Sequence, residues 1–154
     1  MPTSITRREL AAQPILFVRM QVSRAELSGA LGSCLGSVFT YCQEAGIALA
    51  GKPFSRYPSA GPGLLTIEAG MPIATAAEGR GEIEFGHLQA GPALFAVHSG
   101  PYDQLGETYA AIERWMGENG AQPGGAPWES YVTDPADYPD PKDWRTEVYW
   151  PLSE

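Results

Sequence analysis

The chain repeats itself. Gly46–Tyr57 reads GIALAGKPFSRY and Gly120–Tyr131 reads GAQPGGAPWESY, so Gly46/Gly120, Gly51/Gly125, Pro53/Pro127, Phe54/Trp128 and Tyr57/Tyr131 recur at one fixed offset. Each copy is followed by a glutamate with proline four residues on, Glu68 before Pro72 and Glu147 before Pro151. A helix-like run precedes each copy. Duplication inside so short a chain predicts two modules that cannot bury their apolar faces separately. A cleft between two such halves is a natural ligand site.

The local signals fill in each module. Ile15–Val22 is rich in branched residues and reads as a strand. Ser23 and Glu26 have capping-box spacing, so a helix starts there. Leu27, Leu31, Cys34, Val38, Tyr41 and Cys42 then repeat at helical spacing, and Gly46 ends the run. Opposite that stripe lie Gly29, Gly32, Gly36, Ser28, Ser33 and Ser37, a small face that permits a homodimer or is simply exposed. Strands are expected at Pro53–Tyr57 and Leu64–Glu68, on either side of a Gly61-Pro62-Gly63 turn, and at Glu82–Gln89.

The second module reads alike. Ala93–His98 is a strand, and Ser99-Gly100-Pro101 turns into a helix over about Asp103–Glu118 with Leu105, Tyr109, Ile112, Trp115 and Met116 inward. Asn119-Gly120 stops it. Trp128–Val132 and Arg145–Trp150 are the last strands, separated by a Pro-rich irregular loop, Asp134–Trp144. The expected fold is α+β: a duplicated β-α-β-β motif with pseudo-twofold symmetry, two helices on a largely antiparallel sheet, and a central ligand cleft. About 14 residues precede the first expected strand, too few for a helix-turn-helix.

Composition narrows the partners. With 44% apolar and 18% charged residues, the 154-residue chain has the makings of a globular core. A net charge of −8, with Lys52 and Lys142 the only lysines, argues against direct nucleic-acid binding. No apolar run approaches the ~20 residues of a membrane span, and no secretory leader is visible. Cys34 and Cys42 lie about 12 Å apart along one predicted helix and cannot bridge. Unbridged thiols without an export signal predict a cytoplasmic protein.

No metal or cofactor is expected. His87 and His98 are the only histidines, each beside a predicted strand, and the cysteines lack zinc spacing. Phosphate-loop, dinucleotide and nucleophile-elbow motifs are missing. What remains is glutamate among aromatics. In the last strand Arg145, Glu147 and Tyr149 share one face and Thr146, Val148 and Trp150 the other. Glu147 is either solvated beside Arg145 or, with Tyr149, enters a cavity walled by the helices and by rings. A carboxylate there would attract a cation or act as a general base.

The run FAVHSGPYDQLGETYAAIERWMGENGAQPGGAPWESYVTDP, with WRTEVYWPL after it, resembles the GyrI-like small-molecule-binding family, the AraC-type effector-binding domains. His98, Gly100, Pro101, Tyr102, Trp115, Asn119, Gly120, Tyr131, Thr146, Glu147, Tyr149 and Pro151 carry the pattern, from about Ala93 to Leu152. The resemblance implies one stand-alone domain over residues 1–154, with repeats at about 14–73 and 92–152 and a linking strand at about 80–90. It implies a cleft with Glu147 at its floor, taking flat, hydrophobic, cationic or neutral molecules, in the manner of multidrug sensing and drug resistance. Tyr149, Tyr131, Tyr102, Trp144 and Trp115 are candidate walls. Trp150 ranks last, because it alternates with Glu147. An alternative is a hydrolase opening the strained cyclopropanes of DNA-alkylating natural products, with Glu147 and Tyr131 or Tyr102 activating water. A second is a gyrase-inhibitor-like interaction protein. Glu68 precedes Ala69-Gly70 and has no matching tyrosine, so the two half-sites should differ.

Overall fold

A computed structural model describes residues 4–60, 64–133 and 137–153, apart from the side chains of Arg24, Ser28, Ser59 and Ala60. The expected Gly61-Pro62-Gly63 turn and the start of the Pro-rich loop at Asp134–Ala136 lie outside the described residues. Among the described residues are eight strands, antiparallel in every pairing described here, and two α-helices. The fold is α+β, as expected. The chain divides into two compact units, Ala11–Ala90 and a second made of Met1–Leu10 with Gly91–Glu154.

The Ala11–Ala90 unit contains β2 (Gln13–Val22), α1 (Leu27–Ala45), β3 (Phe54–Ala60), β4 (Leu65–Pro72) and β5 (Ile83–Leu88). Its strands lie in the order β5-β2-β4-β3. The capping box forms reciprocally. Ser23 N–H donates to Glu26 Oε1 at 3.0 Å and Glu26 N–H to Ser23 Oγ at 3.3 Å. One 3-10 turn, Arg24–Glu26, leads into α1, and Gly46 closes the helix at φ 68°, a left-handed conformation suited to glycine. Cys34, Val38 and Cys42 bury against Leu16, Val18, Ala69, Met71 and Ile73. Both cysteines are free and buried. Gly29, Gly32 and Gly36 are exposed, and a Cβ added to any of them would meet no atom within 4 Å among the described residues.

The other unit contains β1 (Ile5–Leu10), β6 (Gly91–Ser99), α2 (Leu105–Asn119), β7 (Trp128–Tyr131) and β8 (Arg145–Pro151). Its order, β1-β6-β8-β7, repeats that of the first unit, with β1 standing where β5 stands there. Leu105, Thr108, Ile112 and Met116 are the buried stripe of α2. They pack with Leu94, Ala96, Val148 and Leu152, while Tyr109 and Trp115 flank the stripe half-buried. His98 is structural. Its Nδ1 lies 2.8 Å from Thr108 Oγ1 and its Nε2 2.9 Å from the Pro101 carbonyl, which ties the Gly100-Pro101 turn to the first turns of α2.

Strand β1 departs from the sequence reading, in which no element is expected before Ile15. Only Ile5 and Leu10 of ITRREL are apolar, so no alternation announces a strand. It forms because β6 offers a free edge, pairing Ile5 with Ala96 through Leu10 with Gly91. Charges along such a strand suit an edge that should not recruit another.

Candidate ligand-binding site

Register decides which candidates can meet. Strand β7 pairs β8 with Trp128 opposite Tyr149, Glu129 opposite Val148, Ser130 opposite Glu147 and Tyr131 opposite Thr146. Val148 belongs to the core beneath α2. Glu129, Tyr131 and Thr146 therefore lie on the α2 face. Glu147, Tyr149, Trp128 and Ser130 leave the opposite face.

On the α2 face the side chains converge on Glu129. It is 6% exposed, and its carboxylate accepts from the Tyr109 hydroxyl at 2.7 Å and the Tyr131 hydroxyl at 3.0 Å. Tyr102 stands edge-on to Tyr131 at 5.7 Å between ring centres and lies 4.7 Å from Trp144. Trp144 is anchored by its indole N–H, which donates to the Tyr138 carbonyl at 2.7 Å. Tyr109 meets Trp150 edge-on at 5.8 Å. Trp150 and Trp115 both pack half-buried against the α2 core. Thr146 Oγ1 and Trp150 Nε1 are buried and find no hydrogen-bond partner among the described residues. Buried polar atoms are usually paired, so these two are groups with bonding capacity to spare on the Glu129 side of β8.

On the opposite face, the Tyr149 hydroxyl donates to Glu147 Oε1 at 3.0 Å. Tyr149 stacks on Trp128 at 5.3 Å and 17°, and touches Phe95 at 5.0 Å. Arg8 lies over Phe95, 3.6 Å from its centroid. Burial first, then the adjacent Glu147 charge and its hydrogen bond, push the Tyr149 phenol from 10.0 to about 12.

The structure thus splits the predicted set. It brings Tyr131, Tyr102 and Trp144 together, with Trp150 and Trp115 on the same side. It joins Glu147 to Tyr149, but it does not join Glu147 to Tyr131. The two leave opposite faces of one strand pair, so the expected joint activation of water by Glu147 and Tyr131 has no geometric basis here. Nor does α2 wall a cavity around Glu147, since the helix covers the other face. Glu129 is the carboxylate that sequence reasoning missed. Its signal was available, because it stands two residues before Tyr131 and alternation puts the pair on one face.

The same positions in the first unit differ in chemistry. Ser55 occupies the repeat position of Glu129; it is fully buried, and its hydroxyl lies 3.0 Å from that of Tyr57. Glu68, the counterpart of Glu147, is 3% exposed. Arg19 Nε donates to its Oε2 at 2.9 Å and Arg56 Nε to its Oε1 at 2.7 Å.

A family model for the GyrI-like small molecule binding domain matches residues 3–153. The chain belongs to the GyrI-like family. Among solved structures, the C-terminal domain of EcmrR is similar at 21% identity and a TM-score of 0.87, covering 100% of this chain and 99% of that one. Within the structure of EcmrR in complex with DNA the match, at 22% identity and a TM-score of 0.86, spans 58% of the EcmrR chain. A Listeria innocua protein described as a hydrolase encoded by lin2189 aligns at 13% identity and a TM-score of 0.70, covering 97% of this chain and 91% of that one. SAV2435, in a structure bound to tetraphenylphosphonium, aligns at 11% identity and a TM-score of 0.57, covering 99% and 94%. These likenesses show the GyrI-like fold. No curated protein matches the chain. No helix among the described residues is long and apolar enough to cross a membrane.

Proposed function

We propose that this GyrI-like domain binds a flat, hydrophobic, cationic small molecule over Glu129, against the rings of Tyr102, Tyr109, Tyr131 and Trp144. The observation that carries this reading is a buried carboxylate held by two phenol hydroxyls inside a ring cluster. A carboxyl group set among ring faces is a setting that suits a delocalised cation. Ring faces add attraction of about 0.5–2 kcal/mol per well-placed cation. Thr146 Oγ1 and Trp150 Nε1 can serve polar atoms of the ligand. The tetraphenylphosphonium held by SAV2435, a relative in fold, is likewise a hydrophobic, ring-bearing cation, tetrahedral in shape where the proposed ligand is flat.

The test compares charged and neutral ligands. A unit charge about 4 Å from a carboxylate gains roughly 4 kcal/mol at the effective dielectric of a protein site. After desolvation, Glu129→Gln should weaken tetraphenylphosphonium binding by about tenfold or more in isothermal titration. An uncharged aromatic such as coumarin should change by less than about threefold. Equal losses for both ligands, or no loss for either, would remove Glu129 as the charge centre.

A further inference from the structure

One cavity of the Ala11–Ala90 unit takes no part in the site described above. It measures about 220 Å³, and its walls come from β2, α1 and the segment that enters β5. Two sulfurs stand in that wall. Met20 of β2 packs toward α1, and the Cys34 thiol of α1 donates to Met20 Sδ at 3.1 Å. Cys34 is 3% exposed, so the pair is shielded from bulk water yet borders open space. Ser33 and Ser37 line the cavity as well, and their small side chains leave room beside the sulfurs. Glu82 lies on the same wall. Its charge is felt at Cys34, and it pairs with no cation among the described residues. The neighbouring Arg80 is turned elsewhere: its Nη2 lies 3.5 Å from Glu44 Oε2, and its guanidinium carbon lies 4.4 Å from the centre of the Tyr41 ring.

The geometry points to a site for one soft monovalent metal ion, of the copper(I) class, held between Cys34 Sγ and Met20 Sδ. Thiolate and thioether sulfurs are the ligands such ions select. The thioether already accepts from the thiol, so its lone pair is aimed at the place of the thiol proton. On binding, the Cys34 S–H bond breaks, a sulfur–metal bond forms, and the proton leaves for solvent through the cavity. The ion stays monovalent, and no electron moves. Burial and the Glu82 charge hold the free thiol above its ordinary range. An ion in place of the proton cancels the thiolate charge, so the sulfur can ionise while staying buried. Two metal–sulfur bonds of about 2.3 Å set the sulfurs roughly 3.3–4.0 Å apart. The unbranched Met20 side chain can open that gap into the cavity. Zinc is not what the pair fits, because a zinc site calls for four ligands. This site does not rest on the reading of Glu129.

Silver(I) is the probe, being soft, monovalent and stable to redox change. Titrated calorimetrically into the full chain in nitrate buffer, it should bind tightly, and the isotope-labelled methyl of Met20 should shift in the NMR spectrum as it does. Cys34→Ala should abolish this binding, and Cys42→Ala should leave it unchanged. Met20→Leu, a swap of similar volume, should weaken it by at least about tenfold while the circular dichroism spectrum is kept. Zinc(II) should bind far more weakly than silver. Equal silver affinity in the parent and Met20→Leu, or a Met20 methyl that does not move, would overturn the proposal. So would loss of binding in Cys42→Ala, zinc binding as tight as silver, or no binding of silver to the parent.

Discussion

Alkaline titration of Tyr149 probes the Glu147 face directly. The phenol is half-buried, next to a carboxylate that accepts its proton in a hydrogen bond, and its ionisation is pushed from 10.0 to about 12. Each tenfold change in proton affinity is worth about 1.4 kcal/mol, so the displacement corresponds to roughly 2–3 kcal/mol. Solvent reaches part of the ring, which brings the stability effect nearer to about 1–2 kcal/mol. Its direction is fixed. Below pH 10 the folded and unfolded chains both hold the proton, and the full contribution is present. From pH 10 to about 12 the unfolded chain ionises first, so stability falls as pH rises. Above the folded value the loss is complete.

The assay is phenolate absorbance read immediately after a jump to alkaline pH, before the chain unfolds. Because the chain has seven tyrosines, the informative signal is the difference between the parent and Tyr149→Phe. That difference should titrate near pH 12. In Glu147→Gln the charge and the ionic hydrogen bond are gone while burial, the largest cause, persists. The phenol should then move only part of the way back toward 10. A difference curve centred near pH 10 in the parent would refute the burial and the Glu147 contact together. A full return to 10 in Glu147→Gln would assign the displacement to charge instead of burial.

Two further outcomes follow from the first unit. Arg56→Ala should cost about 2–3 kcal/mol in urea unfolding, because it strips a largely buried guanidinium from a carboxylate that is itself only 4% exposed. Arg19 is 58% exposed and should cost under about 1 kcal/mol as alanine; equal costs would contradict this picture of the Glu68 cluster. Burial, reinforced by the Glu82 charge for Cys34, pushes both thiols above their ordinary range. Iodoacetamide should therefore label Cys34 and Cys42 slowly in the native protein and both rapidly in denaturant, and fast native labelling seen by mass spectrometry would contradict the packing of α1.

The frame was legible in the sequence because periodicity and punctuation are local signals. Ser23 and Glu26 announced α1, Gly46 and Gly120 ended the helices in left-handed turns, and the Phe54/Trp128 repeat marked equivalent strands. The ring cluster was partly legible as well, since Tyr102, Tyr131 and Trp144 were all candidate walls. The missing piece was which carboxylate they surround. Glu147 drew attention because it belongs to the repeated Glu-and-Pro pattern. Glu129 is matched by Ser55 and so stands outside that pattern. Strand β1 was hidden for a different reason, as its stability comes from pairing with β6 and not from an apolar face of its own.

The differences between the units, then, carry more functional information than their shared frame. At four matched positions the side chains change character: Ser55 against Glu129, Arg56 against Ser130, Arg19 against Val97, and Gly70 against Tyr149. The first three redistribute charge. They leave the first unit a neutralised glutamate and a buried hydroxyl, and give the second two carboxylates attended by phenols. The fourth is steric. A Cβ on Gly70 would collide with the Leu16 carbonyl and lie 2.7 Å from Phe17 Cα, backbone atoms that cannot step aside. No side chain can stand there, so the first unit cannot acquire a counterpart of Tyr149 by substitution at that position alone. The phenol–carboxylate pair is confined to the second unit by backbone geometry, and the arginines around Glu68 are what make a glutamate without such a phenol tolerable in a buried strand.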